Sequence, residues 1–352
     1  MSLAALRGRR ILVTGSTGFK GSWLCAWLAD LGTEVAGFAL PPEPDAPLFD
    51  QLKLRSRIRQ YDGDLREEDP IHRAVQDFQP ELVIHMAAQP LVRRAYALPK
   101  QTFDTNIGGA VNLLEAVNAA DCVRALVFIT SDKCYRNKEW AWGYRENDEL
   151  GGADPYSASK AAAELVFTAY QESFFIRRAA PLFAATTRAG NVIGGGDFSA
   201  DRIIPDCIRA LSSRTPILLR KPGATRPWQH VLEPLSGYLS LAVKLLDGES
   251  EYRGAWNFGP DAENVRPVIE VAEGAVATWG NGKILVEEDL NAPHEANLLM
   301  LSSDKAKSNL GWRPRWNFET ALNKTVIWYK QVSEGVDPLT ITRRQIEEFS
   351  AQ

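Results

Sequence analysis

Through its first half the chain alternates short apolar runs with longer amphipathic segments, the pattern of a doubly wound parallel sheet. Runs at Arg10–Thr14, Glu34–Leu40, Ile58–Asp62, Glu81–Ala87 and Ala125–Thr130 read as strands. Helical patterns separate them: Thr17–Leu31, with Trp23, Leu24, Trp27, Leu28 and Leu31 on one face, then Ile71–Phe78, Thr102–Asn118 and the alanine-rich Ser157–Phe174. Ligands of such sheets lie outside the carboxyl ends of the strands, so functional motifs are expected just after strands. The second half is less regular, punctuated at Lys221–Gly223, Arg226–Trp228 and Arg313–Trp316. There Val231–Leu246 reads as a helix and Gly254–Phe258 as a strand returning to the main sheet.

A chain of 352 residues suggests two domains or one with an appendage. Forty Lys+Arg against forty-four Asp+Glu exclude the strongly basic footprint of a nucleic-acid binder, although small anions need only local cations. The basic start Met1–Arg10 is followed by only Ile11-Leu12-Val13, too short for a signal peptide's apolar region. No segment approaches the ~20 apolar residues of a membrane span. Cys25, Cys122, Cys134 and Cys207 are scattered without a CxxC pair, so free thiols in a reducing, cytoplasmic compartment are expected. His72, His85, His230 and His294 form no metal-ligand spacing, and no metal is expected.

The first strand runs into Gly15-Ser16-Thr17-Gly18-Phe19-Lys20-Gly21, which opens the first helix. Glycines there allow a tight turn and close approach of a pyrophosphate to a helix N-terminus, the mark of a Rossmann-type dinucleotide site. Asp62-Gly63-Asp64-Leu65 closes the third strand, where Asp64 is either an acceptor for an adenine amino group or a helix N-cap. Met86-Ala87-Ala88-Gln89 closes the fourth with small residues that leave room for a cofactor. About twenty residues beyond the glycines, Phe38–Pro42 offers the adenosine ribose no carboxylate, and no arginine cluster waits for a 2′-phosphate. NAD is preferred to NADP.

Asp154-Pro155-Tyr156-Ser157-Ala158-Ser159-Lys160 reads as a helix start, with Asp as N-cap and Pro at N1. Tyr156 and Lys160 then share a face one turn apart, where an ammonium lowers a phenol's pKa towards working pH. The tyrosinate takes a proton from an alcohol while hydride leaves for a nicotinamide. Thr130-Ser131-Asp132-Lys133 ends the fifth strand, so Asp132 and Lys133 either project into the crevice as proton-handling groups or form a solvated turn with a local ion pair.

These motifs resemble the extended short-chain dehydrogenase/reductases of the nucleotide-sugar class. Gly18–Leu24, His85–Val92, Thr130–Tyr135, Trp142–Glu146, Arg188–Asp197, Arg226–Tyr238 and Trp256–Pro260 resemble the CDP-glucose 4,6-dehydratase branch most closely. The resemblance implies a Rossmann-type doubly wound sheet with a smaller mixed α/β substrate-binding domain. The dinucleotide-binding domain would be 1–188 with a return segment near 229–262, and the nucleotide-sugar domain 189–228 and 263–352. It implies bound NAD, held by Gly15, Thr17, Gly18, Phe19, Lys20, Gly21, Asp64, Leu65, Ala87, Ala88, Gln89, Asn106, Tyr156 and Lys160. It implies CDP-glucose as substrate, contacted by Gln89, Asn191, Arg202, Arg226 and Asn257, with catalysis by Ser131, Asp132, Lys133, Tyr156 and Lys160.

In the implied reaction C4 is oxidised, water is lost across C5 and C6 with Asp132 as acid, and hydride returns to C6. Related dTDP-glucose dehydratases carry glutamate where this chain has Lys133. A lysine is a C5 base only when neutral, so Lys133 is either that base or an electrostatic stabiliser of the enolate. Ser16 departs from a frequent histidine. Arg226 reads either as a phosphate ligand or as a stacking partner of Trp228, and Trp140 and Trp142 as aromatic packing rather than a base platform. The competing functions are dehydration or 4-epimerisation of a GDP-, UDP- or dTDP-sugar, and, from another class, non-catalytic NAD(P) sensing. Pairing of Thr102–Asn118 and Ser157–Phe174 between subunits is implied, giving a homodimer or a dimer of dimers.

Overall fold

The computed structural model describes residues 3–287 and 298–352; His294 lies outside them. Seven strands form the central sheet: β1 (Arg10–Thr14), β2 (Glu34–Ala39), β3 (Arg59–Asp62), β4 (Leu82–His85), β5 (Ala125–Ile129), β6 (Phe183–Ala189) and β7 (Gly254–Phe258). Their order is β7-β6-β5-β4-β1-β2-β3, and every adjacent pair is parallel. The chain winds outward from β1 through β2 to β3, then crosses back to β4. The carboxyl ends of β1 and β4 therefore border the crevice where such sheets take ligands.

Side chains of alternate strand residues enter different cores, as the two-residue pleat requires. Ile11 and Val13 of β1, with Leu82 and Ile84 of β4, join the core that holds α1 (Phe19–Asp30). Leu12 and Val83 join the opposite core, which holds α2 (Glu68–Phe78) and α3 (Gly109–Asn118). Burial on both faces explains why these strands read as unbroken apolar runs. The helix α4 (Pro155–Ser173) contributes Ala163 and Phe167 to the second core, and α5 (Leu232–Leu246) contributes Leu235 and Leu239 to the first.

Two elements differ from expectation. Strand β6, Phe183-Ala-Ala-Thr-Thr-Arg-Ala, was not anticipated because small and hydroxylated residues give it little hydrophobic signal. The segment expected as one helix over Thr102–Asn118 begins at Pro99 and widens into a π-turn at Asp104–Gly108 before α3. Single π-turns of this kind often re-aim a side chain. Here the re-aimed residue is Asn106, which is buried.

Beyond the sheet, helices Ile203–Ser212, Val268–Trp279, Phe318–Ser333 and Pro338–Ser350 pack with short two-stranded pairs into a mixed unit. A buried carboxylate joins it to the sheet half. Glu233, in the first turn of α5, accepts the backbone N–H groups of Arg315 and Trp316, and burial pushes its pKa up to about 7.

Candidate active site at the carboxyl edge of the sheet

The crevice is built on Thr14, the last residue of β1. Its Oγ1 accepts the N–H groups of Met86 and Ala87, both at 3.2 Å, and lies 2.8 Å from His85 Nδ1. With two donors already on the oxygen, the hydroxyl proton goes to Nδ1, which leaves the imidazole neutral with its proton on Nε2. Burial and the nearby Lys160 ammonium hold His85 at about 3, in agreement. Thr14 thus fixes the chain after β4 against the glycine turn.

The turn itself is closely fitted. Gly15 has φ +72°, and a Cβ there would stand 2.8 Å from the Ala87 nitrogen. At Gly21 a Cβ would approach the Gly15 carbonyl to 2.0 Å. Gly18 caps α1 without any side-chain acceptor for its first N–H groups, so a cradle bounded by backbone opens at a helix N-terminus. A pyrophosphate fits that cradle. Thr17 Oγ1 donates to Leu40 O at 2.9 Å and ties the turn to the end of β2, while Phe19 packs towards Gly194. Ser16 turns its hydroxyl away from the cradle onto Gln60 Oε1 at 2.9 Å.

Of the two readings for Asp64, the N-cap does not form: α2 is capped by Glu67, and Asp64 closes a turn on Arg66. The Arg66 guanidinium holds its carboxyl below the ordinary range. Leu65 is buried beneath Gly109, and its carbonyl accepts Asn112 Nδ2 at 2.9 Å.

The wall after β4 is held by side chains expected to touch ligands directly. Asn106 accepts Gln89 N at 2.8 Å and donates to Gln89 O at 3.1 Å and to Ser159 Oγ at 2.9 Å. Gln89 Nε2 donates to Thr102 Oγ1 and Leu91 O, and Oε1 accepts Leu91 N at 2.7 Å. Both amides are spent on the protein, so they shape the wall formed by Ala87 and Ala88 and join it to α4.

The reacting centre lies where β5 ends. Ser131 Oγ donates to Asp132 Oδ1 at 2.8 Å, and Lys133 Nζ lies 3.5 Å from the same oxygen. Asp132 is buried, and its other oxygen, Oδ2, has no partner among the described residues. A Cβ at Gly190 would come within 3.2 Å of Oδ2, so the glycine keeps the space beside that oxygen open. A carboxyl with one anchored and one free oxygen is placed to give or take a proton there.

Opposite stands the start of α4. Asp154 caps it, accepting the N–H groups of Tyr156 and Ser157 at 2.9 and 3.0 Å, with Pro155 at the first helical position. Tyr156 and Lys160 are both buried on the helix face turned to Ser131 and His85. Burial pushes the phenol up to about 12, while the hydrogen bond with Ser131 and the Arg202 charge pull it down. Within this chain Ser131 and Arg202 are the groups that oppose the burial. Lys160 is itself brought down to about 8 by burial.

Lys20 departs from the rest of the turn. Its backbone belongs to the cradle, but Nζ reaches Tyr238 Oη on α5 at 3.3 Å, within electrostatic range of Lys160, Arg202 and Asp132.

The residues expected at a diphosphate separate. Arg202 lines the cleft half-buried, with Nη1 on Asp197 Oδ2 at 2.8 Å. Asn191 lies between β6 and the short strand Val192–Ile193, its carbonyl taking Gln229 N. Arg226 is half-buried in the strand Thr225–Pro227, and its Nη1 donates to Thr225 O at 2.7 Å. Asn257 is displaced from the expected role: it is wholly buried, donates to Tyr144 O and Ser302 O, and accepts the Tyr135 hydroxyl at 2.8 Å. It cannot reach a ligand without breaking those bonds.

Sequence reasoning missed a buried ion pair behind the site. Arg188 of β6 grips Glu164 of α4 with both arms, Nε to Oε1 and Nη2 to Oε2, each at 2.9 Å, with both side chains almost wholly buried. Thr186 and Thr130 donate to the same carboxylate, and Arg188 Nη1 holds Tyr135 Oη at 2.6 Å. The network fastens α4 to the ends of β5 and β6, and so sets Tyr156 against Ser131. The i+4 spacing of Lys160 and Glu164 along α4 was the available signal.

A sequence profile described as GDP-mannose 4,6 dehydratase matches residues 12–325. The chain is 44% identical to the CDP-glucose 4,6-dehydratase of Salmonella typhimurium over 346 residues, 97% of this chain and 96% of that one. The UDP-glucose 4-epimerase of Thermus thermophilus, solved in complex with NAD, has a TM-score of 0.77 at 26% identity, covering 91% of this chain and 99% of that one. A dTDP-glucose 4,6-dehydratase from Streptomyces venezuelae, solved with NAD bound, has a TM-score of 0.78 at 24% identity, covering 94% and 99%.

Proposed function

Because the chain belongs to the GDP-mannose 4,6 dehydratase family, we propose that it performs the reaction for which its Salmonella relative is named, the 4,6-dehydration of CDP-glucose. NAD is the cofactor, as in the Thermus and Streptomyces structures. The Gly15–Gly21 cradle would hold its pyrophosphate, Asp64 and Leu65 its adenosine end, and the Ala87–Gln89 wall with Tyr156 and Lys160 its nicotinamide end. When bound there, NAD would supply the hydride acceptor for C4 and the hydride donor for C6.

The chain's own residues move the protons. Tyr156, opposite Ser131, would take the proton of the C4 hydroxyl as a phenolate, the form that the Arg202 charge and the positive ring of bound NAD would favour against burial. That ketone acidifies C5–H, and loss of this proton sends the C5–H electrons into a C5–C6 double bond. Asp132 gives its proton to O6 through the free Oδ2, and water leaves. The product is a 4-keto-6-deoxy sugar still attached to its nucleotide. The observation that carries the reading beyond family membership is the buried Asp132 with one open oxygen beside Tyr156. An epimerase, which returns hydride to C4, has no use for an acid at O6. Arg202, Arg226 and Asn191 are proposed to grip the diphosphate, where a planar guanidinium binds phosphate oxygens in pairs.

The test is a panel incubation of the protein and NAD with CDP-, dTDP-, UDP- or GDP-hexose, read by mass spectrometry. Loss of water from CDP-glucose alone is expected. Dehydration of another sugar would replace the substrate and keep the chemistry; NAD binding with no dehydration would favour the epimerase or sensing reading.

We also propose a homodimer or dimer of dimers, built on the neighbouring segments Thr102–Asn118 and Ser157–Phe174, which expose Phe103, Leu165 and Phe174. Sedimentation at micromolar concentration should give at least twice the chain mass, and a monomer alone would contradict it. No helix among the described residues is long and apolar enough to cross a membrane. A cytoplasmic location is proposed from the four unpaired cysteines. The proposed division into a dinucleotide half (1–188 with 229–262) and a nucleotide-sugar half (189–228 and 263–352) is supported by pairing of β7 with β6.

A further inference from the structure

At the end of the sheet away from the crevice lies a cavity of about 650 Å³, walled by the amino ends of β1, β2 and β3 and by the last residue of α2. Three guanidiniums line it: Arg10 opens β1, Arg59 opens β3, and Arg57 stands just before β3. One carboxylate lines it with them, that of Glu34 at the start of β2. The half-buried ring of Phe78 and the buried side chain of Ile58 add an apolar surface beside the arginines.

The arginines are held in place without being used up. Arg57 gives Nη2 to Asp30, the last residue of α1, while its Nη1 is buried with no acceptor among the described residues. Arg343 takes the same Asp30 carboxylate at 2.9 Å, so one carboxylate is divided between two cations. Of its guanidinium, Arg10 commits Nε alone, to Gln79 O at 2.7 Å. Arg59 gives Nη2 to Asp77 and lies over the Tyr61 ring. Such pairs fix the planar groups and leave their other edges able to donate. The buried N–H of Arg57 needs an acceptor, and a polyanion among the three guanidiniums would supply it. Cationic and apolar surface side by side, in a cavity of this size, suits a phosphate chain joined to a planar ring.

We propose that this cavity is a nucleotide-binding site separate from the crevice, where Arg10, Arg57 and Arg59 take the phosphate chain of a nucleoside triphosphate and its base lies beside Phe78 and Ile58. Glu34, an acceptor only, takes a ribose hydroxyl or a base amino group. Strand β1 runs from Arg10 at the cavity to Thr14 at the crevice, about 13 Å at the rise of a parallel strand, so an occupant leaves the cofactor cradle clear. The cradle and the cavity stand at opposite ends of α1, which starts at Phe19 and ends at the Asp30 that Arg57 holds.

The test is calorimetric titration of ATP into the full chain with NAD saturating, which keeps adenosine out of the cradle. Wild type, Arg10→Gln/Arg59→Gln, Arg59→Gln and Arg226→Gln are compared. The wild type should bind one ATP per chain with a submillimolar Kd. The double variant should bind at least about tenfold more weakly, because charge-assisted contacts to phosphate are lost. Arg59→Gln alters one exposed side chain and should weaken binding about threefold, which decides the matter if the double variant folds poorly. Arg226→Gln, changed in the crevice, should stay within about twofold of the wild type. Inorganic triphosphate should bind more weakly than ATP.

Unchanged ATP affinity in both Arg59 variants would overturn the assignment. So would a loss confined to Arg226→Gln, or no ATP binding at millimolar concentration. Inorganic triphosphate binding as tightly as ATP would overturn the place given to the base.

Discussion

Tyr156→Phe should lower kcat by about 10³, with KM for the nucleotide sugar changed by no more than a few-fold. The substitution removes one oxygen from a buried ring and leaves the Asp154 cap, the Pro155 start and the α4 packing in place. What is lost is the acceptor for the C4 hydroxyl proton, so the first step fails. Reduced cofactor should therefore never accumulate in single turnover. Activity of Tyr156→Phe within tenfold of wild type would overturn Tyr156 as the acceptor of the C4 hydroxyl proton.

The largest effect on stability is expected at Glu164→Ala. Four donors from Thr130, Thr186 and the two arms of Arg188 converge on that carboxylate, and the arginine left behind would be a buried charge without its partner. Breaking such a pair costs about 3–5 kcal/mol. Urea unfolding followed by tryptophan fluorescence should report that loss. The double variant Glu164→Ala/Arg188→Met should recover a large part of it, because removing both charges ends the burial penalty. A loss below about 1 kcal/mol in the single variant would mean that water reaches the pair.

The sequence revealed elements whose signal is local and left out relations made by folding. Strands β1, β4 and β5 were readable because burial on both faces demands unbroken apolar runs, and α4 because Asp154-Pro155 is a cap written in adjacent residues. Strand β6 escaped because its position between β5 and β7, not its side-chain hydrophobicity, makes it a strand. The glycine turn was legible as a motif, but the aim of Lys20 depends on α5, more than two hundred residues away. Asn257 failed for the reverse reason: a polar residue at a strand end suggests a ligand contact, and only the fold shows Tyr135, Tyr144 and Ser302 using it. Lys160, Glu164 and Arg188 are all visible as charges in the sequence, but their division into a cleft lysine and a structural ion pair is not.

Strand β7 gives the architecture a directional property. It completes the edge of the sheet beside β6, yet it is encoded only after Gly190–Arg253. During synthesis the hydrogen-bonding rim of β6 is made first and must wait for its neighbour, the kind of open edge that invites wrong partners. No single cut between residues 190 and 253 leaves the seven-stranded sheet whole. Recombination that exchanged the proposed nucleotide-sugar half, 189–228 with 263–352, would therefore need three crossover points, near residues 188, 228 and 262.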